Sequence, residues 1–148
     1  MSLEENKAVV RKVTEAENKK DLTVLNELIA PDYVDHTLQL KGPQGYKEFL
    51  TVLFKAFPDW YETIEDLIAE GDKVCVRLTI NTGIHTGEFR GIAPTGKKST
   101  HKTIQIWQII DGRITKKESI YDQLDFLKQL GIIEYTEKAK KLFPESST

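Results

Sequence analysis

A β-hairpin in the second half of the chain is the strongest constraint on what this sequence can fold into. Residues Thr100 to Ile110 alternate with a period of two, as a strand with one face toward a core does. Asp111-Gly112 follows, a dipeptide typical of a two-residue hairpin turn, and Arg113 to Tyr121 forms the returning strand. The side chains that share one face of the first strand are His101, Thr103, Gln105, Trp107 and Ile109. The pattern therefore predicts an antiparallel sheet.

Helical patterns precede this sheet. Ser2 and Glu5 form a capping-box pattern at the start of a first helix. A second helix is predicted from Asp21 to Ala30 and ends there because a proline comes next. A third opens at the Gly42-Pro43 turn and ends before Pro58-Asp59.

The order of the remaining elements indicates the fold class. Strands are predicted from Trp60 to Ala69 and from Lys73 to Ile80. After the hairpin, a helix begins beyond Asp122, and a short C-terminal helix covers Tyr135 to Leu142, with Glu145 to Thr148 frayed. Helices, then strands, then helix favour an α+β fold, with a curved, mostly antiparallel sheet whose one face is covered by the N-terminal helices.

The size of the chain is that of one domain. Its 148 residues are 39% hydrophobic and 30% charged, and a chain of this length buries about 70% of its unfolded surface. We therefore expect a single domain over residues 1–148, with its core at about 6–132 and the short helix and tail at 133–148. Cys75 is the one cysteine, and its place between two valines of a strand predicts a buried, inert thiol.

The charge pattern bears on partners and compartment. Lys and Arg total 21 against 23 Asp and Glu, without the basic excess of a nucleic-acid-binding protein. No apolar run is long enough for a membrane span, and the charged N-terminus lacks the apolar stretch of a signal peptide. We expect a cytoplasmic protein with neither a nucleic-acid nor a membrane partner.

Two kinds of site are poorly supported by the sequence. Gly91 to Ser99 resembles a phosphate-binding loop, but Lys98 replaces the required Ser or Thr and a strand follows instead of a helix. His36, His85 and His101 lack the spacing of metal ligands, so no metal is expected.

Polar side chains on the predicted strand faces are more informative. Arg77 belongs to the predicted strand from Lys73 to Ile80, and His101 and Gln105 belong to the strand from Thr100 to Ile110. Glu118 and Asp122 share one side of the strand that follows the hairpin turn. A concave face with these residues is more polar than a packing core requires. Alternatively, the same faces simply meet water, as antiparallel sheets allow.

Several short sequence words, in a fixed order, resemble the SnoaL-like polyketide cyclase family. The words are Pro31 to His36, Gly42 to Gly45, Ala56 to Asp59, Glu65 to Asp72, His85 to Phe89, Gly91 to Gly96, Asp111 to Ile114, Tyr121-Asp122 and Gln129 to Gly131. The resemblance covers roughly residues 6–132. It implies the NTF2-like fold, a cone formed by a curved sheet and helices around a pocket, and a homodimer.

The resemblance also implies a reaction. In cyclases of this family, an aspartate at the end of the last strand acts as general acid and base, without a cofactor, in an intramolecular aldol ring closure. That role maps onto Asp122, and an apolar cone would raise the pKa of its carboxyl group toward neutrality. The alternative is that Asp122 only caps the helix that follows.

The other candidate residues also have two interpretations each. His36 matches the family's Asp-His pair and could polarise a substrate carbonyl, or it could hold its loop by a hydrogen bond. Arg77 could bind an anionic group of the ligand or pair with Glu118. Tyr33, His101, Gln105, Trp107 and Glu118 are predicted with Arg77 to line the pocket, where Trp107 could instead be core. His85 is expected to face water at a loop tip.

Together these features predict cofactor-independent proton abstraction next to a carbonyl, by cyclisation or isomerisation, on a small hydrophobic molecule. Two alternatives remain open from the sequence. One is a non-catalytic ligand-binding or dimerisation module of the same fold. The other is a hydratase, dehydratase or epoxide hydrolase that uses the same pocket.

Overall fold

The computed structural model describes residues 2–143 and contains five helices and six strands over that range. In chain order they are α1 (Leu3–Lys19), α2 (Leu25–Leu28), β1 (Ile29–Asp35), β2 (Leu40–Lys41), α3 (Gly42–Ala56), β3 (Tyr61–Glu70), β4 (Lys73–Asn81), β5 (Thr100–Ile110), β6 (Arg113–Tyr121), α4 (Gln123–Gln129) and α5 (Glu137–Lys140). This order confirms the predicted α+β class.

All six strands form one open, curved sheet in the order β2-β1-β6-β5-β4-β3. Neighbouring strands run antiparallel, except that β1 runs parallel to β6. The register shifts between Ile64 and Asp66 in β3 and between Gln108 and Ile109 in β5. Such irregularities bend a strand and increase its twist, so the long strands wrap around the helices instead of lying flat.

The predicted hairpin connects β5 and β6. Asp111 and Gly112 both have positive φ, at 50° and 77°. Two successive positive φ angles characterise the type I′ turn, whose twist matches that of the two strands it joins. Ile110 faces Arg113 across this turn, and the paired register continues to Thr103 opposite Tyr121. The turn thus sets the register in which β5 and β6 begin to pair.

The second predicted helix is much shorter than expected. Only Leu25–Leu28 is helical, and Asp21 accepts the amide of Thr23 in a local turn instead of capping a long helix. Ile29 begins a strand because it pairs with Ile114 of β6, a partner far away in the sequence. The ladder to β6 is interrupted between Ile29 and Val34, the stretch that contains a proline, which has no amide hydrogen to donate.

Helices α1 and α3 cover the inner face of the sheet and close the core. Helix α1 begins as predicted, with the Ser2 hydroxyl accepting the Glu5 amide at 3.1 Å. The largest fully buried side chains come from helices, strands and loops alike: Trp107, Tyr33, Phe57, Leu25, Ile29, Leu78, Ile109, Ile114 and Leu130. On β4 and β5, buried and more exposed residues alternate, as the period-two patterns predicted.

The C-terminal part follows the prediction with one difference. Helix α4 starts after Asp122 and is followed by Gly131, whose φ of 73° suits a glycine beyond a helix end. The last helix is a single turn, Glu137–Lys140, shorter than expected from its sequence. The predicted frayed tail, Glu145 to Thr148, lies outside the described residues. Within residues 2–143, none of the helices is long and apolar enough to cross a membrane.

Candidate active site

A cavity lies between the inner face of the sheet and helices α1, α3 and α4. The space in it that is open to a water-sized sphere is ≈ 110 Å³. The apolar side chains of its wall are largely aromatic or aliphatic: Leu38, Leu40, Phe49, Leu50, Leu53, Ile80, Phe89, Tyr121 and Phe126.

Strand β5 presents a row of polar side chains to this cavity. His101, Thr103 and Gln105 point inward because alternate residues of a strand share a face, and all three are buried. Two predicted pocket residues, His101 and Gln105, are therefore placed at the cavity. Thr103 also donates to the Ile120 carbonyl of β6 at 3.2 Å, which holds its hydroxyl in place.

His101 sits in an aromatic surrounding. Its ring centroid lies 4.7 Å from that of Phe126 and 6.4 Å from that of Trp60, and its Nδ1 is 3.2 Å from the Ser99 hydroxyl. Burial lowers the pKa of His101 to about 4, against the opposing charges of the Asp125 and Asp122 carboxylates. At neutral pH its imidazole is therefore uncharged.

A hydrogen bond from a core residue holds the Gln105 side chain in its orientation. The Trp107 indole N–H donates to its amide oxygen at 2.7 Å. Trp107 itself is 1% exposed and does not line the cavity. The core alternative for Trp107 is thus the one that the structure supports, and the prediction that Trp107 lines the pocket is wrong.

Four polar groups from four elements meet at the closed end of the cavity. They are Glu17 of α1, Tyr46 of α3, Glu62 of β3 and Lys117 of β6, and all of them line it. The Lys117 ammonium donates to the Tyr46 hydroxyl at 3.1 Å, and that hydroxyl donates to the Glu17 carboxylate. The Trp60 indole donates to Glu62 at 3.2 Å.

The sequence interpretation missed this cluster, although one signal was present. Val10 and Val13 mark the buried face of α1, and Glu17 continues that face one turn later. A carboxyl group at a buried helical position requires polar partners from elsewhere in the fold. Nothing in the local pattern identified those partners.

Asp122 is exposed and does not line the cavity. Its carboxylate accepts the Asp125 amide at 3.1 Å and caps helix α4. The expectation that an apolar cone encloses Asp122 is therefore wrong, because Asp122 follows Glu118 and Ile120 at a period of two, and both of these are exposed. Its carboxylate is nevertheless close enough for its charge to act on His101.

His36 is exposed as well, and Asp35, the residue before it, occupies the inward position. The His36 amide donates to the Lys117 carbonyl at 3.2 Å, and its own carbonyl accepts from the Gln39 side chain at 2.9 Å. These bonds involve the backbone of His36, which agrees with the loop-holding alternative. The His36 side chain is outside the cavity lining, so the structure does not bring it to the other predicted catalytic residue.

The residue before His36, Asp35, lines the cavity instead. Its carboxylate accepts the amides of Thr37 and Leu38 at 2.9 Å and 2.8 Å. The Tyr33 hydroxyl donates to it at 3.3 Å. Tyr33 is buried in the core behind Asp35, where burial and the Asp35 charge raise the pKa of its hydroxyl. The prediction that Tyr33 itself lines the pocket is wrong.

Arg77 and Glu118 lie on the outer face of the sheet, so the prediction that they line the pocket is also wrong. Arg77 binds Asp66 across the β3–β4 pair, with 2.7 Å between Nη2 and the carboxylate. Glu118 is exposed opposite Ile106. Cys75, expected to be buried, is half-buried on the same face as Arg77. The reason is that Val74, Val76 and Leu78 occupy the inward positions of β4.

His85 is fully buried. The prediction that it faces water at a loop tip is therefore wrong. Its ring stacks on Phe57, with 4.8 Å between centroids, and its Nδ1 accepts the Thr95 amide at 3.2 Å. The loop that carries it packs on the end of α3, where a Cβ at Gly87 would stand 2.4 Å from the Lys55 carbonyl oxygen.

Among residues 2–143, no group of three or more His, Cys, Asp or Glu side chains could hold a metal ion.

Comparison with known proteins identifies one family. The family model described as SnoaL-like polyketide cyclase matches residues 7–130. Aklanonic acid methyl ester cyclase DauD of Streptomyces sp. (strain C5) is 30% identical over 129 residues, which cover 83% of this chain and 80% of that protein. AcmA of Streptomyces galilaeus, of the same description, is 31% identical over 134 residues, covering 87% and 92%.

Solved structures agree in fold. TsrD from Streptomyces laurentii superposes with a TM-score of 0.82 at 25% identity, covering 90% of this chain and 99% of TsrD. Wild-type IdmH from Streptomyces antibioticus superposes with a TM-score of 0.73 at 32% identity, covering 85% and 98%. These two matches span nearly the whole length of TsrD and IdmH, so the shared part is the fold as a whole.

Proposed function

The chain belongs to the SnoaL-like polyketide cyclase family, and on that premise we propose that it closes a ring in a polyketide ester by an intramolecular aldol reaction. The cavity would hold the reacting carbonyl groups of the substrate. The proposed chemistry requires no cofactor, because both proton transfers are made by side chains. This function is the one that the relatives named as ester cyclases favour.

The observation that carries the proposal is an uncharged His101 inside an aromatic cavity, beside Thr103 and Gln105. His101 is the proposed base that removes a proton from the carbon next to a carbonyl. The resulting enolate carbon attacks a second carbonyl, and a new carbon–carbon bond forms. The N–H of the Gln105 side-chain amide is the proposed donor to the enolate oxygen.

Asp122 has a supporting part in this proposal. When His101 accepts a proton, the imidazolium interacts favourably with the negative charges of Asp122 and Asp125. Asp122 thus acts through His101 and is a positioning residue rather than the base. This arrangement reconciles the exposed position of Asp122 with its place at the end of the last strand.

The test is an assay of the purified protein with aklanonic acid methyl ester, the compound named for the curated relatives. An intramolecular aldol addition conserves mass, so chromatography coupled to mass spectrometry should show an isomer of the substrate. His101→Gln is expected to slow the reaction by about 10²–10⁴-fold, the usual contribution of one acid–base group. Lys102→Gln, on the outward side of the same strand, is the matched control.

The outcomes separate the proposal from its alternative. Loss of turnover in His101→Gln, with full activity in Lys102→Gln, supports His101 as the base. Binding of the ester without any isomer formation favours the non-catalytic module instead. Equal activity of His101→Gln and the wild type contradicts the proposed base.

We also propose that the chain forms a homodimer through the outer face of its sheet. Ile104, Ile106 and Ile120 are 51%, 50% and 81% exposed there, close together on β5 and β6. Neighbouring exposed isoleucines are typical of a surface that another molecule covers. Sedimentation velocity should show a dimer, and Ile106→Lys should shift it toward the monomer. A monomeric wild type contradicts the dimer.

A further inference from the structure

The polar cluster at the closed end of the cavity has no part in the reaction as described so far. The Lys117 ammonium donates to Tyr46, and Tyr46 donates to the Glu17 carboxylate. The Glu62 carboxyl group accepts from the Trp60 indole and lies close enough to Glu17 and Lys117 for their charges to act on it. Lys117 also lies 4.5 Å from the centre of the Trp107 ring. Glu17 and Lys117 are buried, with 3% and 9% exposure.

The charges of the side chains that line this end of the cavity favour one retained proton on the carboxyl pair. Two ionised carboxylates and one ammonium would leave a net negative charge in an enclosed site, which is costly in a medium of low polarity. One proton on the carboxyl pair makes the cluster neutral. Glu17 already accepts from Tyr46, and its charge raises the pKa of Glu62, so Glu62 holds this proton.

We propose that Glu62 is a catalytic acid of this cavity, paired with Glu17, and that it delivers its proton to the carbonyl oxygen that becomes the new alcohol. This inference rests on the proposed cyclase function. The proposed role of Glu62 also specifies how the ligand is oriented in the cavity. The attacked carbonyl points toward the closed end, and the carbon that loses its proton lies on the side of His101.

The positions of the two groups favour this division of roles. Trp60 stands between them, with its indole N–H on Glu62 and its ring 6.4 Å from that of His101. Both side chains line the same cavity. A ligand held against Trp60 can therefore meet a proton acceptor on one side and a donor on the other.

The surroundings keep Glu62 protonated when His101 is not. Burial and the Glu17 carboxylate raise the pKa of Glu62 to about 8, against the opposing Lys117 charge and the Trp60 donor. Tyr46 faces the pair from α3, and Lys20, whose amine contacts the Trp60 carbonyl, adds a positive charge nearby. Two groups whose pKa values are displaced in opposite directions make an acid and a base available at one pH.

The proton balance of the step is complete. His101 takes a proton from carbon, the carbon–carbon bond forms, and the carbonyl oxygen of the attacked group takes the proton of Glu62. Imidazolium then releases its proton to water, and the Glu62 carboxylate regains one from water. The ligand gains and loses nothing overall, as an isomerisation requires.

The experiment compares pH profiles of wild type, Glu62→Gln and Glu62→Asp with aklanonic acid methyl ester. Glu62→Gln replaces the protonated carboxyl group by an amide, which is also neutral but has no acidic proton. We therefore expect kcat to fall by about 10²–10⁴-fold with little change in KM. The decline of wild-type kcat above about pH 8 should disappear in this variant. Glu62→Asp should recover part of kcat with a displaced decline. Glu70→Gln, at the exposed end of the same strand, is the matched control.

A second measurement does not depend on turnover. Carbon-13 NMR of the side-chain carboxyl groups should show Glu62 titrating well above the ordinary range of a glutamate, and Glu17→Gln should lower that pKa. An ordinary Glu62 pKa overturns the inference, and so does an unchanged alkaline decline in an active Glu62→Gln. Absence of turnover in the wild type contradicts the cyclase function instead, and with it the catalytic part of this inference.

Discussion

Changing the pH should alter the stability of this protein in a way that depends on two groups of the cavity lining, Glu62 and His101. The pKa of Glu62 is raised from 4.5 to about 8, so between these values the native state holds a proton that the unfolded state has lost. Stability therefore falls as the pH rises through this interval. The pKa of His101 is lowered from 6.5 to about 4, so here the unfolded state holds the extra proton and stability rises with pH.

The two effects oppose each other at first. One proton of difference changes the free energy of unfolding by about 1.4 kcal/mol per pH unit. Between pH 4.5 and 6.5 the contributions of Glu62 and His101 cancel. Between pH 6.5 and about 8 only Glu62 contributes. The native state should therefore lose about 2 kcal/mol over that last interval.

Urea unfolding of the wild type and of Glu62→Gln, measured across this pH range, is the assay. Glutamine is neutral at every pH, so the variant should lack the alkaline loss. Relative to wild type, it should gain about 2 kcal/mol between pH 6.5 and about 8. Below pH 6.5 its stability should rise with pH, because the His101 contribution is no longer offset.

Glu70→Gln serves as the control, because it changes the same residue type at the exposed end of the same strand. Its curve should run parallel to that of the wild type. If Glu62→Gln also ran parallel to the wild type above pH 6.5, the proton shared at the closed end of the cavity would not exist. The reasoning from burial and charge would then be refuted.

Three further substitutions test other parts of the structure. Asp122→Ala should lower the unfolding free energy by about 1 kcal/mol through loss of the helix cap, whereas Asp122→Asn retains the cap and should change it little, as urea unfolding can show. Gly87→Ala would place a Cβ 2.4 Å from the Lys55 carbonyl oxygen, so it should destabilise the fold by about 1–3 kcal/mol; an unchanged melting temperature would contradict the close approach. Arg77→Ala removes an exposed ion pair with Asp66 and should cost less than about 1 kcal/mol, with ligand affinity unchanged by calorimetric titration.

Much of the fold could be predicted because strand patterns are local. The alternation over Thr100 to Ile110, followed by Asp111-Gly112, required a hairpin whatever the rest of the chain did. Strand β1 shows where local reasoning fails. The leucines before Ile29 suit a helix, but the strand that starts there is stabilised by β6, more than eighty residues away in the sequence.

The site residues also divide into those that a local pattern predicts and those that it does not. His101 and Gln105 could be predicted together because they share a face of one strand. The period of two cannot say which face is inside, and Arg77 was therefore assigned to the wrong side. Asp122 raised a similar difficulty, because one residue at a strand end can cap the next helix or point inward, and only the packed chain decides.

By itself, the sequence determined the family, the succession of helices and strands, and the polar face of β5, because each follows from short-range spacing and from ordered sequence words. Only the tertiary structure decided that Glu17, Tyr46, Glu62 and Lys117 meet at the end of one cavity. These residues come from four separate elements. Their charges and hydrogen bonds acquire meaning only when the curved sheet and its helices bring them together and exclude water.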